Sequence, residues 1–210
     1  MAIPSGQPNA AAQAIIASLA NQPTLLMKMR ILSLGKNYDV MDPNQQVLCM
    51  VGLDSGQNVK GAVIGSLVSQ VAGDYVGRYA RRSLSYTYTV KDPQGNVAML
   101  IQKGGGGNTS EFQIQDAMQG GSFGTIHMKR SLIGGLKATW IDPNGQGRMS
   151  TKGNIIRRKY AIVGPDGREV GRVRHKILAI RDTWQLELEP GSNHLFAALF
   201  ATVLDFEKKM

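Results

Sequence analysis

The sequence predicts a mainly β protein: a closed antiparallel barrel of about 12 strands around a hydrophobic C-terminal helix, with a short glycine-rich helical insertion. Three observations carry this. A Pro-centred turn recurs between alternating apolar stretches, the stretches add up to about twelve strands, and the chain closes on "SNHLFAALFATVLDFEKKM", Ser192 to Met210. From Leu195 to Leu204 that segment carries no charge and only Thr202 interrupts its apolar run, so a helix here is apolar all round where a surface helix would show one stripe. The run extends about 15 Å at 1.5 Å per residue, roughly half of what a bilayer requires. Asp205, Glu207, Lys208 and Lys209 follow it directly. It reads as a core helix of the domain, with the barrel wall as its surroundings.

In chain order, residues 1–23 form a flexible or short-helical N-terminal tail, rich in Ala, with one short helix near Ala10 to Ala20. Residues 24–210 form one domain, within which 56–83 is a helical insertion and 192–208 the central helix. The turn pattern appears as "YDVMDPNQQV", "YTVKDPQGNV", "ATWIDPNGQG" and "YAIVGPDGREV", with a looser copy in "WQLELEPGS". Its prolines fall at 43, 93, 143, 165 and 190, and three of the four closer copies place Gly two residues after Pro. Pro pre-sets φ at the second turn position, Asp before it bonds its own backbone, and Gly accepts a positive φ. A weaker hairpin, Phe112 to Met128, lies in one of the two widest gaps. Strands are expected near 25–32, 37–42, 46–51, 84–91, 96–103, 110–116, 122–129, 136–142, 146–151, 155–163, 168–176 and 183–189. Closing such a meander removes its edges.

Gly56 to Ser83 breaks the hairpin rhythm. Val63, Leu67, Val71 and Tyr75 recur every four residues, as do the small residues Gly61, Gly65, Ser69, Gly73 and Gly77, so a helix here carries a glycine stripe suited to close approach. Self-association through Gly61, Gly65, Gly73 and Gly77 is one expectation for it, and packing on the barrel end is the plainer one. "GGGGNTS", Gly104 to Ser110, is a flexible loop without the Gly-Lys-Ser/Thr ending of a phosphate loop.

No constellation of residues reads as an active site, and the chain is expected not to be an enzyme. His127, His175 and His194 are far apart, with no metal-ligand spacing, and no serine sits in a nucleophile-elbow pattern. No metal or cofactor is expected. Cys49, the one cysteine, lies in the apolar stretch "QVLCMV" and reads as a buried, inert thiol. With no signal peptide and no disulfide, the expected location is cytoplasmic, with peripheral attachment to a membrane if lipid is the ligand.

Charge is the informative property. Of a net charge of +9, the stretch Lys129 to Arg181 holds thirteen Lys or Arg against Asp142, Asp166 and Glu169, a local net of +10. An anionic partner follows: a phospholipid surface, an acidic protein or nucleic acid. In "GREVGRVRHKI", Arg168, Arg172, Arg174 and Lys176 share one strand parity, with Gly171, Val173 and Ile177 on the other. Arg157 and Lys159 extend the same face. These six are the candidate anion-binding residues, and Leu195, Phe196, Leu199, Phe200, Val203 and Leu204 the barrel-core helix residues. Nucleic acid is the weaker partner, because no reader motif is visible and aromatics do not interleave the basic run beyond Tyr160 and Trp184.

"YAIVGPDGREVGRVRHKILAIRDTWQLELEPG" followed by "HLFAALFATVLDFEKK" resembles the end of LURP-one-related proteins, and also phospholipid scramblases and, in fold, the tubby C-terminal domain. The carrying features are the turn-Gly hairpins, the "RDTW" run and a hydrophobic helix running into "LDFEKK". The resemblance implies a barrel of about twelve strands around a buried C-terminal helix, and a non-enzymatic module that binds anionic phospholipid headgroups, or, as the alternative, an adaptor that binds a protein or nucleic acid. The Ala-rich tail, the glycine-stripe segment and the glycine loop depart from the family. No calcium-loop pattern of closely spaced acids is present, so calcium-driven lipid movement is not implied.

Overall fold

The computed structural model describes residues 7–30, 37–53, 85–104, 109–130, 136–152, 159–176 and 183–209, with the side chains of 130, 136, 176 and 206–209 excepted. The glycine-stripe segment 56–83, Arg157 and Gly105 to Gly107 lie outside these residues. A helix, α1 (Ala10–Leu19), precedes twelve strands: β1 (Thr24–Met29), β2 (Asn37–Met41), β3 (Val47–Leu53), β4 (Tyr86–Lys91), β5 (Val97–Gly104), β6 (Thr109–Asp116), β7 (Ser122–Arg130), β8 (Leu136–Ile141), β9 (Gly147–Lys152), β10 (Lys159–Val163), β11 (Glu169–Lys176) and β12 (Thr183–Leu188). The chain then enters α2 (His194–Lys209).

Each strand pairs antiparallel with its neighbour in sequence, and β1 pairs with β12 to close the barrel. Up-and-down order puts two kinds of connection at opposite ends. The turns β2–β3, β4–β5, β6–β7, β8–β9 and β10–β11 and the β12–α2 link gather at one end, the turn end. The remaining strand ends, including those of β7, β9 and β11 and the starts of β8, β10 and β12, meet at the far end.

The repeated turn is a repeated structure. In β2–β3, β4–β5, β8–β9 and β10–β11 a β-bulge adds an unpaired residue just after the turn, at Leu48, Ala98, Arg148 and Val170, opposite Met41, Lys91, Ile141 and Val163. The fourth turn residue then takes a positive φ: +92° at Gly95, +79° at Gly145 and +79° at Gly167. Where the sequence has Gln45, the same conformation is kept at φ +68°. Asp42, Asp92 and Asp142 each accept the backbone N–H four residues on. The hairpin without proline is one residue longer, with Asp116 as opener, a positive φ at its fifth residue Gly120 and a bulge at Phe123 opposite Gln115.

Strand alternation then decides the core. Leu25, Met27, Tyr38, Val40, Val51, Tyr88, Val90, Ile101, Phe112, Ile114, Ile126, Trp140, Ile162, Val173 and Leu186 turn inward and are buried. The helix they surround is α2. Leu195, Phe196, Leu199, Phe200, Val203 and Leu204 are all at most 4 % exposed, and so are Ala197, Ala198, Ala201 and Thr202. Burial on every side of the helix is what an all-round apolar segment requires. Thr202 bonds back to the Ala198 carbonyl, which satisfies its hydroxyl inside the helix. Asp205 is also buried and accepts a hydrogen bond from the Tyr38 hydroxyl.

The helix expected near residues 10–20 is present, and it is docked. Ala12, Ile15 and Leu19 are buried, and α1 packs on β3, β5 and α2 at the turn end. Its N-cap, Asn9, accepts from the Ala12 amide, donates through Nδ2 to the Ala98 carbonyl and donates twice to Asp116. Nothing in the Ala-rich composition signals that attachment; one buried Asn and one turn Asp make it.

Candidate anion-binding surface

The described residues of α2 are buried inside the barrel wall, and the candidate residues lie on the outside and at the rims. The β10–β11 register sets Lys159 opposite Arg174 and Ala161 opposite Arg172. Val173 and Gly171 between them are buried, so Arg172 and Arg174 lie on the outer face with Lys159. Arg168 does not continue the row. The bulge at Val170, opposite Val163, ends strict alternation, and Arg168 lies in the turn, its side chain 86 % exposed, at the opposite end of β11 from Lys176. Lys176 ends β11, with its side chain outside the described set, as is the whole of Arg157.

The electrostatics of this face differ from a bare row of cations. Arg172 binds Glu169 at 2.7 Å, Arg174 approaches Glu187 at 3.6 Å, and Arg168 approaches Asp166 at 3.6 Å. Parity along one strand marks out the arginines; the acids that meet them come from the turn (Asp166), from the start of β11 itself (Glu169) and from β12 (Glu187). Two exposed lysines on β8 and β9, Lys137 and Lys152, and one on β7, Lys129, share the outer surface with Lys159. Each sits singly on its own strand, so parity along the chain does not group them; only the barrel makes them neighbours.

Several depressions among the described residues are open to solvent, and two of them bear on the basic region. One of about 300 Å³ at the turn end is lined by Trp140, Met149, Pro165 and Val170, with Arg148 on its edge. The guanidinium of Arg148 is occupied, 2.7 Å from the buried Asp142. The other, about 780 Å³, lies on the outer face of β6–β8 and is lined by Thr109, Gln113, His127, Lys129, Lys137 and Thr139, among others.

The residues that carry chemistry elsewhere have structural surroundings here. His175 meets Trp184 edge-on at 4.9 Å, His194 Nδ1 lies 2.8 Å from the Ser192 carbonyl, and His127 stands 4.0 Å from Glu111. Among the described residues no three His, Cys, Asp or Glu side chains are grouped to hold a metal. Cys49 is fully buried, and burial, aided by the charge of Asp39, pushes its thiol pKa up to about 12. Burial and Asp205 likewise raise the Tyr160 hydroxyl well above its ordinary value. No described helix is long and apolar enough to cross a membrane.

A closed twelve-strand barrel threaded by its own C-terminal helix defines the class of protein. The family model described as LURP-one-related matches residues 23–205, and the chain belongs to that family. Searches of the curated proteins and of the solved structures returned no match.

Proposed function

We propose that this LURP-one-related barrel is a non-enzymatic module, of the scramblase-like and tubby-like kind, that binds anionic phospholipid headgroups at a membrane surface through outward basic residues. The observation that supports this reading is the combination of a filled interior with a basic exterior. α2 occupies the space where a barrel would hold a small ligand, while the bases of 129–181 that the structure describes stand mostly on strands facing out. Lysine and arginine near an anionic leaflet each contribute about 1 kcal/mol and act within about a Debye length. The test is flotation of the full chain with vesicles of phosphatidylcholine, alone and mixed with phosphatidylserine, beside binding to single-stranded and duplex DNA. Salt dependence alone does not discriminate, because both polyanions produce it. Binding to the mixed vesicles and to neither DNA is the expected result; binding to DNA alone would replace this reading with the adaptor one.

A further inference from the structure

Every arginine whose side chain is described is held in an ion pair: Arg30 with Asp39 at 2.6 Å, Arg148 with Asp142 at 2.7 Å, and Arg168, Arg172 and Arg174 with the acids given above. The lysines divide differently. Lys129, Lys137, Lys152 and Lys159 stand on the adjacent strands β7, β8, β9 and β10, at or beside the strand ends that meet at the far end of the barrel. All four are exposed, and none lies in an ion pair among the described residues. Lys129 and Lys137 are direct cross-strand partners. Like charges set opposite one another destabilise a sheet, so the fold itself gives no account of this pair. The nearest acid at that end of β6, Glu111, faces His127 at 4.0 Å, and Asp39 is taken by Arg30.

We propose that this lysine arc, rather than the arginines of β11, is the surface that rests on an anionic lipid leaflet. The proposal deepens the lipid reading above and depends on it. Three features select a leaflet. Neighbouring strands lie about 4.8 Å apart, so an arc over four of them spans roughly 15 Å, wider than one headgroup. Its members lie on four adjacent strands, near the same ends of those strands, so one stretch of the outer face presents them together. Lysine is a mobile point charge rather than a bidentate fork, which suits a laterally fluid layer of phosphates. A nucleic acid would want rings to stack on. The exposed large apolar side chains among the described residues are Val97 and Met118, both at the turn end. That end carries Asp42, Asp92, Asp116, Asp142, Asp166 and Glu189 against Lys91, Arg148 and Arg168, so it is the more acidic end among the described residues.

The experiment compares three forms of the full chain on the same vesicles at low salt: the parent, Lys129→Gln with Lys137→Gln and Lys152→Gln, and Arg172→Gln with Arg174→Gln. At about fivefold per lysine, the lysine variant should bind phosphatidylserine vesicles on the order of 100-fold more weakly. The arginine variant, whose charges are already paired, should stay within about threefold of the parent. Thermal unfolding of the lysine variant should be no lower than the parent's, because the cross-strand repulsion is relieved. A lysine variant that binds as the parent does overturns the arc and leaves the lipid reading standing. A parent that ignores phosphatidylserine vesicles overturns both. Lysine-dependent binding of duplex DNA in place of vesicles overturns the leaflet and makes the arc a nucleic-acid surface.

Discussion

Trp140 of β8 lies flat on Phe196 in the first turn of α2, ring centroids 4.0 Å apart and planes inclined by 21°. The wall can hold a side chain that large because its neighbour in β7 is Gly124, at φ +119°. A Cβ there would lie 2.4 Å from both Trp140 Nε1 and the Ile141 carbonyl. Gly124→Ala is therefore expected to cost about 3 kcal/mol, from strained φ and overpacking together. Phe196→Ala should cost about 3–5 kcal/mol through the cavity left under the indole. Urea unfolding followed by tryptophan fluorescence measures both.

Phe200 sits deeper in the same helix and is fully buried. Phe200→Asp places an unpaired charge where the described barrel wall surrounds it, and should cost several kcal/mol, enough to leave the chain insoluble or molten. Deleting residues 195–204 should do the same. A truncated chain that stays monomeric with a sharp thermal transition would show that the wall closes without its filling.

The clip between Asn9 and Asp116 gives a pH-dependent prediction. Burial pushes the Asp116 pKa up, but N–H donors from Asn9, Gln119 and Met118 outweigh it and hold the carboxyl below its ordinary value. A depressed folded-state pKa contributes stability that is present above the unfolded carboxyl range, near 3.9, and is lost as pH falls through the lower folded value. Asn9→Ala should cost about 1–3 kcal/mol at neutral pH, for the lost cap and the buried bonds. It should also make the acid-side loss of stability smaller. Amides of α1 should exchange faster in this variant while those of β10–β12 do not.

Gln45 occupies a position that three sister turns give to glycine, and its φ of +68° is one an L side chain resists. Gln45→Gly should raise stability by a few tenths to about 1 kcal/mol, the relief of φ strain being partly offset by a freer unfolded chain. Denaturant midpoints of the two proteins decide it.

Cys49, with its thiol pKa near 12 and no exposed surface, should resist thiol reagents in the native protein and react only on unfolding. Labelling at a rate equal to that of the denatured chain would mean that β3 is open to solvent.

Much of this architecture was legible in the chain because it is written locally. Alternation marks a strand wherever one face is buried, and Pro followed by Gly marks a hairpin, so even the weak stretch around 146–151 is a strand, Gly147–Lys152. The candidate site was legible only in part. Arg172, Arg174 and Lys159 face outward as parity requires, but the bulge at Val170 removes Arg168 from the row, and a bulge leaves little trace in composition.

By itself, the sequence determined the barrel class, the turns and the burial of α2, since each follows from side-chain periodicity or turn chemistry within about ten residues. The tertiary structure decided what depends on registers between distant segments. It joined Asn9 to Asp116 and Tyr38 to Asp205, and paired Arg174 with Glu187 of the next strand. It also set Lys129 beside Lys137. Charge counts along a chain add whatever lies close in sequence, whereas a Coulomb interaction depends on distance through space, and barrel closure assigns those distances.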